Sequence, residues 1–193
     1  MSRYRNKEIL VLPEVYTPSE DSFLLVVAVL RELRPSDRVL EIGTGSGIVS
    51  ACVKERASVI ATDINPYAVK CARLNGIDSI RADLFNGIKG RFDLVVFNPP
   101  YLPSDKKVND WFDCAWNGGE DGQATISRFL CHVQDCLTEN GRFLLLVSSL
   151  SGVDAIMDKM ASLGFIAEEV LSEKYFFERL TVLKGRVANK SRR

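Results

Sequence analysis

Apolar residues recur along this chain in two rhythms. Four runs, Arg38-Val39-Leu40-Glu41-Ile42, Ser58-Val59-Ile60-Ala61-Thr62, Phe92-Asp93-Leu94-Val95-Val96-Phe97 and Arg142-Phe143-Leu144-Leu145-Leu146-Val147, are short and mainly apolar, as strands buried on both faces are. Between them the spacing turns helical. A helix is predicted to open at Ser19-Glu20-Asp21-Ser22 and to run from Phe23 to Leu33 until Pro35 stops it. It is apolar almost all round, so it should pack against a sheet. Further helices are expected over Ile48 to Arg56, about Pro66 to Asn75, Ala124 to Leu137 and Val153 to Leu163. Weaker strand signals fall at Ile9-Leu10-Val11-Leu12 and Asp78-Ser79-Ile80-Arg81, while Phe165 to Leu171 with Phe176 to Leu183 reads as a terminal antiparallel pair. Strands alternating with helices predict one doubly wound α/β domain.

That domain is expected over residues 1–184, with 1–13 loosely attached, leaving 185–193 as a basic, disordered tail for which nucleic-acid contact is the lesser reading. Pro103 to Gly122 is long, polar and aperiodic, which marks a functional or disordered segment. At 193 residues the chain can bury a substantial core without staples, and 25 basic against 25 acidic residues give no global field for nucleic acid or anionic membranes. The longest apolar run, Phe23 to Leu30, is too short to span a bilayer. Five scattered cysteines and a single histidine, His132, support no zinc site, and reduced, mostly buried thiols in a cytoplasmic protein are expected. His132 is read as a packed or surface residue without a catalytic part.

The candidate chemistry lies at strand ends. Gly43-x-Gly45-x-Gly47 stands where a strand gives way to a helix, and Asp63 closes the next strand. Glycines let a ligand approach the backbone, the helix start supplies N–H donors, and a carboxylate one strand over can hold ribose hydroxyls. Asp83, after the third strand, could receive an adenine amino group. This describes a nucleoside site without separating a dinucleotide from S-adenosylmethionine, since Ile48 fills the third glycine position of the dinucleotide fingerprint. Glu41 and Asp83 could equally be turn or cap residues. Asn98-Pro99-Pro100-Tyr101 follows the strand Phe92 to Phe97 as a stiff loop rich in acceptors, with no evident base or nucleophile. Asn-Pro pairs also start ordinary turns.

Taken in order, Glu41-Ile42-Gly43-Thr44-Gly45-Ser46-Gly47, Asp63, Asp83 and Asn98-Pro99-Pro100-Tyr101 resemble class I S-adenosylmethionine-dependent methyltransferases acting on planar amino or amide nitrogens. Val15 to Leu25 and Trp116-Asn117-Gly118-Gly119-Glu120-Asp121-Gly122 look like signatures of the HemK-related protein-glutamine methyltransferases, in particular their short eukaryotic and archaeal branch. The resemblance spans roughly residues 14 to 184. It implies a Rossmann-like, seven-stranded, mostly parallel sheet whose last strand pair is antiparallel. The implied activity is methylation of the glutamine amide in the Gly-Gly-Gln loop of a class I translation release factor, leaving S-adenosyl-L-homocysteine. It places Asp63 on the ribose, Asp83 on the adenine, Gly43, Gly45 and Gly47 against the cofactor, and Ser22 on its methionine part. Tyr16, Glu41, Ile64, Leu84 and Asn98 complete the cofactor set, Glu41 as part of the cofactor strand. Asn98 and the Pro99 carbonyl would receive the substrate amide with Tyr101 flanking it, and Pro100, Trp116, Gly118 and Gly119 would line the substrate side. The resemblance also implies a small zinc-bearing activator subunit pairing at the outermost strand, Ile77 to Arg81.

Rival readings are an adenine-N6 methyltransferase acting on DNA or RNA, a protein lysine methyltransferase, and a non-catalytic subunit that only binds cofactor. Neutral net charge and the lack of a spare target domain disfavour nucleic acid as substrate. The loop offers no base to deprotonate a lysine, and the complete Asn98 to Tyr101 motif counts against a silent subunit.

Overall fold

The computed structural model describes residues 2–4, 7–107 and 110–188. In chain order, strands β1 (Ser2–Tyr4) and β2 (Lys7–Ile9) precede helix α1 (Glu20–Glu32), β3 (Arg38–Ile42), α2 (Ile48–Val53), β4 (Ser58–Asp63), α3 (Pro66–Leu74), β5 (Ser79–Arg81) and β6 (Phe92–Phe97). Then come α4 (Trp111–Cys114), α5 (Ala124–His132) with a 3-10 turn Val133–Cys136, β7 (Leu137–Ser148), α6 (Val153–Ser162), β8 (Phe165–Lys174) and β9 (Arg179–Val187). The seven-stranded sheet runs β5-β4-β3-β6-β7-β9-β8, parallel from β5 to β7 and antiparallel where β9 joins β7 and β8. This is the fold class expected from the alternation of strands and helices.

The two-residue period of the strands builds a core on each face. Val39, Leu94, Val96, Leu144 and Leu146 point to one side, where they meet α1 and α2 through Leu25, Val29, Val49 and Val53. Leu40, Val95, Phe97, Phe143 and Leu145 point to the other, beneath Ile126, Phe129 and Leu130 of α5 and Ile156 and Met160 of α6. Phe129 is the hub there, its ring centre 5.0 Å from Phe97 and 5.5 Å from Phe143. The buried Arg142 guanidinium joins the layers: it pairs with Asp37 at 2.7 Å and donates to the carbonyls of Glu32 and Asp93. Both partners are almost fully buried, so losing either would leave an uncompensated charge in the interior.

Four expectations change. The segment before α1 is docked over residues 7–12: Ile9 is buried, Val11 and Leu12 pack on Val15, Ala68 and Cys71, and Asn75 clamps the backbone of Leu10 at 3.0 and 2.9 Å. The expected tail begins too early. Gly185 lies within β9 opposite Phe143, whose ring would stand 2.1 Å from a Cβ at that position, so glycine there is a packing requirement. Residues 189–193 of the expected tail lie outside the described residues. In the terminal pair the chain turns later than expected, leaving Phe176 and Phe177 outside both strands. The thiols are also less hidden than expected: Cys71 and Cys136 are buried, Cys52 and Cys114 are half-buried and Cys131 is exposed, and none forms a disulfide among the described residues.

Candidate active site

The carboxyl ends of β3, β4 and β6 open onto a cleft of about 340 Å³. On one side the chain leaves β3 through three glycines with left-handed backbones, at φ 65°, 54° and 85° for Gly43, Gly45 and Gly47. They serve different ends. Gly45 faces open space in the cleft, so a Cβ there would occupy room left for a ligand. Gly43 lets the turn approach the Phe97 ring and the Asn98 carbonyl. Gly47, expected to touch cofactor, instead turns towards α3, where a Cβ would come within 3.3 Å of Ala72. That glycine is needed for packing and does not line the cleft.

Glu41 holds the turn from beneath. Its Oε2 accepts from Thr44 Oγ1 at 2.8 Å, from the Ser50 N–H at 3.1 Å and from Ser50 Oγ. Burial pushes its carboxyl up to about 7 despite those donors, with the nearby Asp63 charge adding to the rise. Asp63 Oδ2 accepts from the Gly45 N–H at 2.9 Å and Oδ1 from the Asn65 N–H at 2.8 Å, and burial raises this carboxyl too. Ile64, Leu84 and Asp83 line the same side. Asp83 is paired with Arg128 of α5 at 2.7 Å, a partner that the strand-end pattern did not disclose. Ser46 Oγ, also on the lining, is buried without a hydrogen-bond partner among the described residues.

Across the cleft stand Asn98, Pro99, Pro100 and Tyr101, with Tyr16, Ser22 and Trp116. Asn98 Nδ2 donates to Asp21 Oδ2 at 2.9 Å. A carboxylate only accepts, so the amide must present its NH2 to Asp21 and turn its oxygen away. That oxygen, Asn98 Oδ1, is buried without a hydrogen-bond partner among the described residues. Asp21 is itself fixed at the start of α1, its Oδ1 accepting from Ser22 Oγ at 3.1 Å and Tyr16 Oη at 3.3 Å. Burial, with the Asp21 charge adding, raises the Tyr101 phenol far above its ordinary range and keeps it neutral.

Asp21 is the residue that sequence reasoning missed. Ser19-Glu20-Asp21-Ser22 reads as a helix start within the Val15 to Leu25 signature, where Ser22 but not Asp21 is given a role, and nothing local discloses a partner 77 positions away. The polar stretch is similarly built rather than loose. Asp110 caps α4 by accepting from the Asp113 N–H at 2.7 Å, and Leu102 bridges Asn117, bringing Trp111, Cys114 and Trp116 into the lining. Gly118 and Gly119 do not reach the cleft. They form a turn behind it, and Gly122 packs so closely that a Cβ would lie 2.3 Å from the Tyr101 carbonyl oxygen. His132 is exposed and apart from the cleft, as expected.

The model of the methyltransferase small domain matches residues 19–175, a span that contains both sides of the cleft. The chain belongs to the methyltransferase small domain family. A Methanocaldococcus jannaschii protein named for protein N5-glutamine methyltransferase activity is 40% identical over 183 residues, covering 90% of this chain and 92% of that protein. Human methyltransferase HEMK2 is 36% identical over 190 residues, covering 89% of each. The solved E. cuniculi Mtq2-Trm112 complex, described as responsible for methylation of the eRF1 translation termination factor, aligns with a TM-score of 0.77 at 30% identity, over 91% of this chain and 99% of that one. The Asn98 loop and the Gly43 to Gly47 turn therefore face each other within a methyltransferase domain.

Proposed function

We propose that the chain methylates the side-chain amide nitrogen of the glutamine in the Gly-Gly-Gln loop of a translation release factor, using S-adenosylmethionine. The observation that carries this reading is the unpartnered Asn98 Oδ1, held in place by Asp21. A buried acceptor of this kind calls for a donor, and a substrate amide brings two N–H groups on one nitrogen. The relatives named for glutamine methylation and the E. cuniculi complex described for eRF1 support the choice of substrate.

The residues also suit the cofactor. Gly45 leaves a cradle that a Cβ would fill, Ser46 Oγ lacks a partner, and Asp63 can accept from ribose hydroxyls beside the Gly45 N–H. Glu41 would support from beneath the turn that holds the methionine side, and Asp83, Leu84 and Ile64 would flank the adenine. Bound there, S-adenosylmethionine supplies an electrophilic methyl group on a cationic sulfur.

A glutamine nitrogen is a weak nucleophile because its lone pair is delocalised into the carbonyl. Asn98 Oδ1 accepts one of its N–H groups and the Pro99 carbonyl the other, fixing the direction in which the lone pair points. Both acceptors strengthen their hold as positive charge grows on that nitrogen, so they favour the transition state over the ground state. Asp21 keeps the Asn98 amide from turning over. Neutral Tyr101 offers a face to the amide. No base on the enzyme is required, since a nitrogen that has become cationic releases its proton to water.

The proposal extends to a small zinc-bearing activator subunit adding a strand at β5, with the reaction in the cytoplasm. Supporting this, β5 is an edge strand, and the exposed Ile60 and Ile80 lie on one face there. No described helix is long and apolar enough to cross a membrane. Mass spectrometry of an intact release factor after incubation with the chain and labelled cofactor, with and without the activator, tests the reading. One added methyl on the loop glutamine is expected. Methylation of an adenine substrate in a parallel reaction, with the release factor untouched, would reject it.

A further inference from the structure

We propose that the turn between β8 and β9, Tyr175-Phe176-Phe177-Glu178, is a docking element that seats the protein carrying the target glutamine, an inference that rests on the function proposed above. Phe176 and Phe177 are 93% and 84% exposed, and their rings meet edge to face with centres 4.7 Å apart. Single exposed apolar side chains are ordinary, but two adjacent aromatic rings standing in water at a turn are not. The turn does not need them. Neither residue has a left-handed backbone, and closure comes from the Tyr175 N–H donating to the Glu178 carbonyl at 2.8 Å. Polar turn residues would serve equally.

The base of the turn is anchored while its tip projects. Tyr175 packs on the core beneath α1, Ser148 Oγ donates to the Glu178 carboxylate, and the Arg179 N–H donates to Ser149 Oγ at 3.0 Å. These bonds fix the place of the rings. Leu180 lies opposite Ser148, at the carboxyl end of β7, so the turn rises from the same edge of the sheet as the cleft. The charges of Glu20 and Asp21 act on Tyr175, and that of Glu178 acts on Tyr101, which puts the anchored base beside the substrate loop.

A glutamine reaching Asn98 on a loop brings the rest of its protein over this rim. The aromatic pair suits an apolar hollow on a folded partner, the kind of contact in which a few rings carry most of the affinity. Phosphate is a poor match, because the charges of Glu173 and Glu20 act on Tyr175 and Glu178 closes the turn, beside Lys174 and Arg179 in the chain.

The test uses the full chain with its activator present and compares wild type with the double variant Phe176→Ala/Phe177→Ala. Both are assayed on the intact release factor and on a short peptide containing the Gly-Gly-Gln loop. For the double variant, KM for the intact factor should rise about thirtyfold with kcat unchanged, the size expected for one aromatic anchor. Its kcat/KM on the peptide should stay at the wild-type value. An equal loss on both substrates, or unchanged KM for the factor, overturns the docking role. So does conversion of a dimer into a monomer, by sedimentation, with unchanged KM for the factor, since the rings would then bind a second copy. Failure of the wild type to methylate peptide and factor alike would overturn the functional reading itself.

Discussion

On the β3–β4 side of the cleft two carboxyl groups, Glu41 and Asp63, are tied into the turn that they support. Glu41 is bound by Thr44 and Ser50, and Asp63 by the Gly45 and Asn65 main chain. On the β6 side a single side chain, Asn98, is held from behind by Asp21 of a distant helix and has its oxygen left over. A surface for a ligand of constant shape can be set by backbone. A surface that must strengthen its grip during a reaction keeps an acceptor in reserve and fixes only its orientation.

Substitution of Asn98 by alanine should have the largest effect on this contrast, slowing single-turnover methyl transfer by roughly 10²- to 10³-fold, the cost of removing one transition-state hydrogen-bond partner. Calorimetry should show cofactor binding largely retained. A near-normal rate would remove the distinction between the two sides.

Next comes Glu41. Its folded carboxyl lies near 7 and its unfolded one near 4.5, so the folded state keeps a proton that the unfolded state loses. The resulting stabilisation is complete below the lower value and is lost as pH rises through the upper one, amounting to about 3 kcal/mol at most. Glu41→Gln, which cannot titrate, should flatten that fall when urea unfolding is compared at pH 5 and pH 8. An unchanged pH dependence would mean that the glycine turn is not tied through a protonated Glu41.

Asp21→Ala should slow methyl transfer by about ten- to thirtyfold, the scale of a hydrogen bond to a charged group. The Asn98→Ala background should absorb most of that loss, and additive rate losses would show that Asp21 acts elsewhere. The smallest effects should separate two glycines. Gly45→Ala should weaken cofactor binding about tenfold, through the filled cradle and a left-handed strain of about 1–2 kcal/mol. Gly47→Ala should lower the melting temperature through its contact with Ala72 while leaving the cleft open. Equal effects of the two on cofactor affinity would contradict their opposite orientations.

Much of this was legible along the chain. The bounds of β3 and β6 follow from their apolar runs, and the Gly43 turn, Asp63 and the Asn98 loop all arrive at one cleft because strand ends in such a sheet share an edge. What stayed hidden depends on contacts between distant residues. Asp21 meets Asn98 only through the packing of α1, and Arg128 meets Asp83 only because α5 crosses that edge. Gly47, Gly118 and Gly119 carry the same letter as ligand-facing glycines, yet they serve tight packing behind the wall. The β8–β9 boundary slipped because Phe176 and Phe177 have strand-like side chains in a turn.

The position of β9 constrains how the chain can fold. This strand follows every other described element but lies inside the sheet, between β7 and β8. During synthesis the outer edge of β7 therefore stays unpaired until Arg179 to Val187 has emerged, and β8 has no place on the sheet before then. A growing chain would expose the apolar edge of β7 from the time that Ser148 is made until Val187 has followed, the situation in which wrong pairing begins. Shortening the chain by a few residues at β9 would open the middle of the sheet rather than trim its border.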